Sequence, residues 1–200
     1  SSRPCCLKRI GTWNVEGLRG DSIIKLTELQ RVMQQQEIDI LCIQETHLHG
    51  AGYYEQDGFL IFVSGEMDPE VRPWAGVGFM VSPRVRPAVV TFKAHCDRLA
   101  TLRLRLHGGM LTLLSAYSPH SKHDYEKRQS FYNDLQDLIR PTTDHSISYA
   151  RGDFNARLRR AGPAEEHIIG PFVFQAAPPA SQRDNQELAT SNRQLLCECC

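Results

Sequence analysis

The sequence predicts an α/β sandwich built from two sheets. Three observations carry this: a strand, helix and strand within the first forty or so residues, a close run of short apolar strands through the middle, and helical periodicity that returns only after them. Residues 7–15 read as the first strand, with Ile10, Trp13 and Val15 as its apolar members. Residues 17–21 form a turn, and Asp21 or Ser22 can cap a helix. Apolar side chains at 23, 26, 29 and 33 then recur at helical spacing, which predicts an amphipathic helix over 22–36. Residues 38–44 are a buried strand with Glu45 at its carboxyl end, so the opening reads as a parallel crossover unit.

Short strands follow at 59–64, 76–82, 88–92, 99–106 and 110–116. The last two, joined at His107-Gly108-Gly109, read as a hairpin. Along it Leu102, Leu104 and Leu106 alternate with Arg103, Arg105 and His107, and Leu114 and Ala116 are the expected matching apolar face. A second helix is expected over 121–139, with Tyr125, Phe131, Leu135, Leu138 and Ile139 as its stripe and Pro141 as its stop. Residues 147–151 form the strand that delivers Asp153. Further on, 157–163 reads as loop, 171–179 as irregular, and 182–198 as a helix capped by Asp184 or Asn185.

Two hundred residues support one sizeable core. With 41% hydrophobic and 23% charged residues, the disordered and fibrous classes are excluded. Lys+Arg and Asp+Glu balance at 23 each, so any phosphate affinity must be local or helped by a metal cation. Seven cysteines, an odd count without a regular framework, read as reduced thiols in an intracellular setting. Cys5-Cys6 and Cys197, Cys199 and Cys200 lack the separation that zinc knuckles favour. No run of 18 apolar residues exists, so no membrane span is expected. Ser1-Ser2-Arg3-Pro4 reads as the edge of a longer reading frame.

Four polar punctuations fall just after β-runs: Thr12-Trp13-Asn14-Val15, Gln44-Glu45-Thr46-His47, Ala116-Tyr117-Ser118-Pro119 and Gly152-Asp153-Phe154-Asn155. Each has a bland reading: Asn14 as a turn former, Glu45 as a solvated acid, Tyr117 as a cover for a core edge. Taken together they form a phosphoester inventory. Glu45 is a hard oxygen ligand of the kind Mg²⁺ takes alongside waters and substrate phosphate, and Asn14 adds a neutral oxygen or orients that carboxylate. At strand period Asp153 and Asn155 share a face, the first aligning or deprotonating water and the second holding a phosphoryl oxygen. Tyr117 donates to the phosphate where charge develops. Arg98, Arg103 and Arg105 offer a basic face for a DNA backbone, against the commoner solvated sheet face.

The order Trp13-Asn14, Gln44-Glu45-Thr46, Gly76-Val77-Gly78-Phe79, Tyr117-Ser118-Pro119 and Gly152-Asp153-Phe154-Asn155 resembles the endonuclease–exonuclease–phosphatase superfamily. Within it the best likeness is to the apurinic-like endonuclease domain of non-LTR retrotransposons, through Gln-Glu-Thr, Phe131-Tyr132 with Leu135, and 192–200. The resemblance implies a deoxyribonuclease-like two-sheet sandwich over residues 8–200, behind a disordered edge at 1–7. It assigns Asn14 and Glu45 to metal and Tyr117, Asp153 and Asn155 to catalysis; His120, where many relatives have Asn, and Arg98, on the basic strand face, are the substrate candidates. It also implies Mg²⁺ or Mn²⁺ as cofactor, DNA as partner, a reverse-transcriptase domain in the parent reading frame, and a nuclear location. The family pattern closes with a further Asp and a Ser-Asp-His motif, and nothing after Asn155 supplies them; the one later histidine is His167. The domain is therefore expected to be incomplete at its carboxyl end, to expose unpaired strand edges, and to be weak or inactive as it stands. Arg151, where the family has a small or apolar residue, reads as a side chain reaching solvent. Alternatives within the superfamily are an inositol-phosphate phosphatase or a sphingomyelinase; outside enzymes, a non-catalytic remnant.

Overall fold

The computed structural model describes residues 6–18, 22–140, 147–156, 168 and 191–199. In chain order these form β1 (Ile10–Asn14), α1 (Ser22–Gln35), β2 (Ile40–Gln44), β3 (Ala51–Gln56), β4 (Phe59–Ser64), β5 (Val77–Val81) and β6 (Val89–Cys96). There follow β7 (Leu99–Leu106), β8 (Gly109–Tyr117), α2 (Tyr125–Ile139), β9 (Ile147–Asp153) and α3 (Asn192–Cys199). Two compact units partition them: Ser1–Tyr117 with Ile139–Asp153, and Ser118–Leu138 with Phe154–Cys200.

The first unit holds both sheets, ordered β1-β2-β5-β4-β3 and β6-β7-β8-β9. Most neighbours are antiparallel, but β1 runs parallel to β2 and β8 parallel to β9. These two parallel pairs bring the carboxyl ends of four strands to matched registers. Between the sheets, Ile40, Cys42 and Val77 pack with Leu102, Leu104, Leu111 and Leu113. Phe92 of the second sheet meets Phe62 and Phe79 of the first, at ring-centre distances of 5.0 and 6.3 Å. On the outer face of the first sheet, α1 sets Leu26, Leu29 and Met33 against Leu41, Ile43, Ile61 and Met80. Burying each such side chain stabilises the fold by about 1.5–3 kcal/mol. The molecule is thus an α/β sandwich.

Several expectations are corrected. Ile23, placed on the buried stripe of α1, is 70% exposed. The buried face is carried by 26, 29, 30 and 33, where Gln30 reaches the Gln56 carbonyl at 3.0 Å. In the hairpin, a two-residue turn at His107-Gly108 pairs Leu106 with Gly109, so Leu102 opposes Leu113 and Leu104 opposes Leu111. The matching face is therefore Leu111 and Leu113; Leu114 and Ala116 lie on the other face, as a slip of one residue requires. Strand β3 was not anticipated, because Ala-Gly-Tyr-Tyr-Glu-Gln is an end strand with mostly exposed side chains and no apolar alternation. Helix α2 begins at Tyr125 rather than 121, since His120 and His123 close a turn, His123 N donating to His120 O at 3.0 Å.

Strands β1 and β9 each end their sheet, and Trp13, Ile147 and Tyr149 on them are exposed. In the second unit, α2 buries Arg128, Phe131, Tyr132 and Leu135, and α3 buries Asn192, Leu195 and Cys199. The expected caps Asp184 and Asn185, His167, and the segments 157–163 and 171–179 lie outside the described residues. Among those that are described, no helix is long and apolar enough to cross a membrane.

Candidate active site

Asn14 ends β1, Tyr117 ends β8, Asp153 ends β9, and Glu45 follows β2 directly. Register explains their meeting. Asn14 lies opposite Gln44, beside Glu45, and Tyr117 lies opposite Asp153. Gly152 makes the last step of β9 possible, because a Cβ there would run into the Ala116 carbonyl. Past the strand ends the backbone stays tied, with Gly17 N donating to Glu45 O at 2.7 Å and Leu18 N to Thr46 O at 2.9 Å.

The side chains form one network around Glu45. Its Oε1 accepts from Asn14 Nδ2 at 2.7 Å and from the Tyr117 hydroxyl at 2.7 Å. The same Asn14 Nδ2 lies 3.4 Å from Asp153 Oδ2. Glu45 Oε2 faces His47 Nε2 at 3.7 Å. Asn14 Oδ1 accepts the Glu16 amide at 3.1 Å, so the carboxamide has its donor end toward both carboxylates. Asn14 thus orients the carboxylate in this arrangement rather than adding an oxygen beside it. Arg98 joins the group: its guanidinium sits 5.0 Å from the Tyr117 ring centre, and Nη1 donates to Tyr117 O at 3.2 Å.

Burial raises the Tyr117 phenol well above its ordinary range, and the hydrogen bond and charge of Glu45 raise it further, while Arg98 opposes the shift. Tyr117 is therefore a neutral donor at physiological pH. Behind the site a polar bridge, buried at Gln44 and Ser115, links the sheets. Thr12 Oγ1 donates to Gln44 Oε1 at 3.1 Å, Gln44 Nε2 to Ser115 Oγ at 3.3 Å, and Ser115 Oγ to Ile43 O at 3.2 Å. Glu16, Glu45 and His47 have positive φ of 49–55°, as do Glu37 and Asp57 elsewhere in this unit. Each such conformation costs about 1–3 kcal/mol in a non-glycine residue.

Among the described residues, no three His, Cys, Asp or Glu side chains gather as a metal cluster. The donor set nevertheless fits a hard cation of the Mg²⁺ type, which takes one or two carboxylates and completes its shell with waters and phosphate. Glu45 and Asp153 are the residues that could hold it.

The second unit holds the remaining assigned residues. Asn155 does not continue the strand period, since β9 ends at Asp153 and its own φ is +47°. Its Nδ2 donates one N–H to Ser118 O at 2.7 Å. His120 stacks on His123 with centroids 4.2 Å apart, and its Nδ1 accepts the Lys122 amide at 3.1 Å. Arg151 is exposed. Sequence reasoning missed His47, the Gln44–Ser115 bridge and Asn192, whose Nδ2 donates to Pro119 O at 2.7 Å. For His47 the signal was its place two residues after Glu45; for Ser115, a hydroxyl on the same strand face as Leu111 and Leu113.

Two carboxylates, an amide and a phenol thus meet at the carboxyl ends of strands from two facing sheets, in a nuclease-like α/β sandwich. Residues 11–183 match the Endonuclease/Exonuclease/phosphatase family, and the chain belongs to it. It is 30% identical to craniofacial development protein 2 of Bos taurus over 156 residues, 77% of this chain and 25% of that protein. The chain spans about a quarter of the length of the curated relatives it matches. Its fold is similar to the AP endonuclease LMAP of Leishmania major, at TM-score 0.61 and 17% identity, over 94% of this chain and 64% of that one. It is similar also to the endonuclease domain of TRAS1, a telomere-specific non-LTR retrotransposon, at TM-score 0.52 and 16% identity, over 76% and 62%.

Proposed function

We propose that this chain is a DNA-nicking phosphodiesterase domain of the retrotransposon type, using Mg²⁺ or Mn²⁺, hydrolysing one strand by water attack to leave a 3′-hydroxyl. One observation carries the reading. A single Asn14 amide nitrogen lies within reach of Glu45 and Asp153, carboxylates from two different sheets, while Tyr117 donates to the same Glu45 oxygen.

In this mechanism Glu45 holds the cation, which when bound supplies Lewis-acid polarisation of a phosphoryl oxygen. Asn14 fixes the Glu45 carboxylate. Asp153 orients the attacking water and takes its proton at a carboxylate oxygen as the new P–O bond forms; the P–O3′ bond breaks and the departing O3′ takes a proton from solvent, leaving a 3′-hydroxyl and a 5′-phosphate. Tyr117 turns its O–H from Glu45 toward the phosphate oxygen that gains charge, and Arg98 steadies the Tyr117 backbone and adds positive charge. Without the late Ser-Asp-His group, turnover by residues 1–200 alone is slow. The proposed setting is a nuclear protein that also carries a reverse-transcriptase domain.

Protein in excess over supercoiled plasmid is expected to nick it slowly with Mg²⁺, and Glu45→Ala or Asp153→Ala to abolish the nicking. Calorimetric titration with Mg²⁺ gives a readout independent of turnover, with Glu45→Gln weakening binding at least tenfold. Nicking that survives Glu45→Ala, or Mg²⁺ affinity indifferent to Glu45→Gln, rejects the proposal.

A further inference from the structure

Residues 66–76 run from β4 to β5 and are strapped along the segment that follows Glu45. Glu66 N donates to Leu48 O at 3.2 Å and Gly50 N to Glu66 O at 2.7 Å. His49 Nε2 pairs with Val71 O at 2.9 Å. His47 N donates to Ala75 O at 2.8 Å and Thr46 N to Gly76 O at 3.1 Å. At the end of this strap Pro73 and Ala75 are buried, yet Trp74 between them is 61% exposed. The Arg72 guanidinium lies 3.8 Å from the centre of the Trp74 ring.

An indole held out between two buried residues, with a proline fixing one side, is ordered before any ligand arrives. Its apolar surface has no role in either hydrophobic core. Arg72 gives the ring a flat cationic partner, the pairing that favours a planar π system on the remaining surface. The same loop carries Glu66, Asp68 and Glu70; Glu66 and Asp68 accept the backbone amides of Asp68 and Glu70 at 3.1 and 3.0 Å. Those carboxylates disfavour phosphate, so the ring is suited to a base rather than to the nucleic-acid backbone. Trp74 is one residue from Ala75, which pairs with His47, itself two residues from Glu45. That path bounds the ring within about 20 Å of the Glu45 backbone, a span of about three nucleotides.

We infer that Trp74, braced by Arg72, is a stacking subsite for an unpaired nucleobase of the DNA strand held at Glu45 and Asp153. The inference rests on the nuclease reading above and adds a substrate preference to it: the strand flanking the cut is read unpaired.

The test uses a short fluorescein-labelled single-stranded oligodeoxynucleotide and the same strand with every base replaced by an abasic tetrahydrofuran unit. Trp74→Ala should weaken binding of the base-bearing strand about tenfold and leave the abasic strand unchanged. Trp74→Phe should keep most of the affinity. In a Trp13→Phe background, Trp74 fluorescence should be quenched by the base-bearing strand alone. Equal losses on both strands, or unchanged affinity in Trp74→Ala, would overturn the inference while Glu45-dependent nicking leaves the nuclease reading standing. A wild-type protein that binds neither strand and nicks nothing would overturn both.

Discussion

Replacing Asn192 with alanine tests how the second unit holds its backbone. Asn192 is 2% exposed and opens α3. Its Nδ2 lies 2.7 Å from Pro119 O, 3.3 Å from Ser118 Oγ, 3.3 Å from Asn155 O and 3.4 Å from Phe154 O. Arg128 Nη1, on α2, reaches its Oδ1 at 3.4 Å. An amide has two N–H groups, so at most two of those four acceptors are served at full strength at once. Alanine removes both bonds, at about 1 kcal/mol each. Pro119 O keeps Ser118 Oγ and Phe154 O keeps the Tyr132 hydroxyl, so these carbonyls are not orphaned. Asn155 O and the buried Arg128 guanidinium each lose a partner, which adds about 1–2 kcal/mol. The expected loss is therefore about 3 kcal/mol, a large share of a domain's stability. Asn192→Asp keeps an oxygen for Arg128 but turns a second one on the carbonyls, and should cost no less. Urea unfolding measures both. A loss under about 1 kcal/mol in Asn192→Ala, or wild-type stability in Asn192→Asp, would refute the clamp.

Four further outcomes follow from the structure. Tyr117→Phe keeps the ring in the core and leaves Glu45 its Asn14 donor, so stability should fall by only about 1 kcal/mol while nicking falls about a hundredfold; equal small effects on both would remove the phenol from the chemistry. Because burial and Glu45 raise the Tyr117 phenol, its share of stability is present below about pH 10 and is lost as the pH climbs beyond, which ultraviolet phenolate titration of the wild type against Tyr117→Phe resolves. Burial pushes the Cys42 thiol up to about 12, so it should resist iodoacetamide in the native protein and react only on unfolding, read by mass spectrometry. Gly76 has φ +107°, and a Cβ there would strike Thr46 Oγ1, so Gly76→Ala should cost about 2 kcal/mol in urea and disturb the loop beside Glu45.

The fold was legible wherever burial wrote a period into the chain. Residues 59–64 and 99–106 were read to the residue as β4 and β7, because continuous or alternating apolar side chains leave no other assignment. The crossover of β1, α1 and β2 was legible for the same reason, and β1 does run parallel to β2. What failed was information that period does not hold. Strand β3 is fixed by its hydrogen bonds to β4, not by its own side chains, so Ala-Gly-Tyr-Tyr-Glu-Gln gives no signal of its own. Hairpin register hangs on whether the turn has two residues or three, and His107-Gly108-Gly109 permits either until the ladder is seen.

The site divides along the same line. Strand-end position made Asn14, Glu45, Tyr117 and Asp153 visible, since parallel neighbours deliver their carboxyl ends to one rim. The roles were less visible, because a role depends on which atom faces which. Asn14 was weighed as an oxygen ligand or an orienting group, and only the capture of its Oδ1 by the Glu16 amide turns its nitrogen to the carboxylates. Asn155 was assigned to the phosphate by counting two residues from Asp153, a count valid only inside a strand. At φ +47° the chain has already left the strand, and one amide N–H goes to Ser118 O. Strand period stops predicting where a side chain points once the chain leaves the strand, as at Asn155, and it never says which end of a carboxamide such as Asn14 faces a carboxylate.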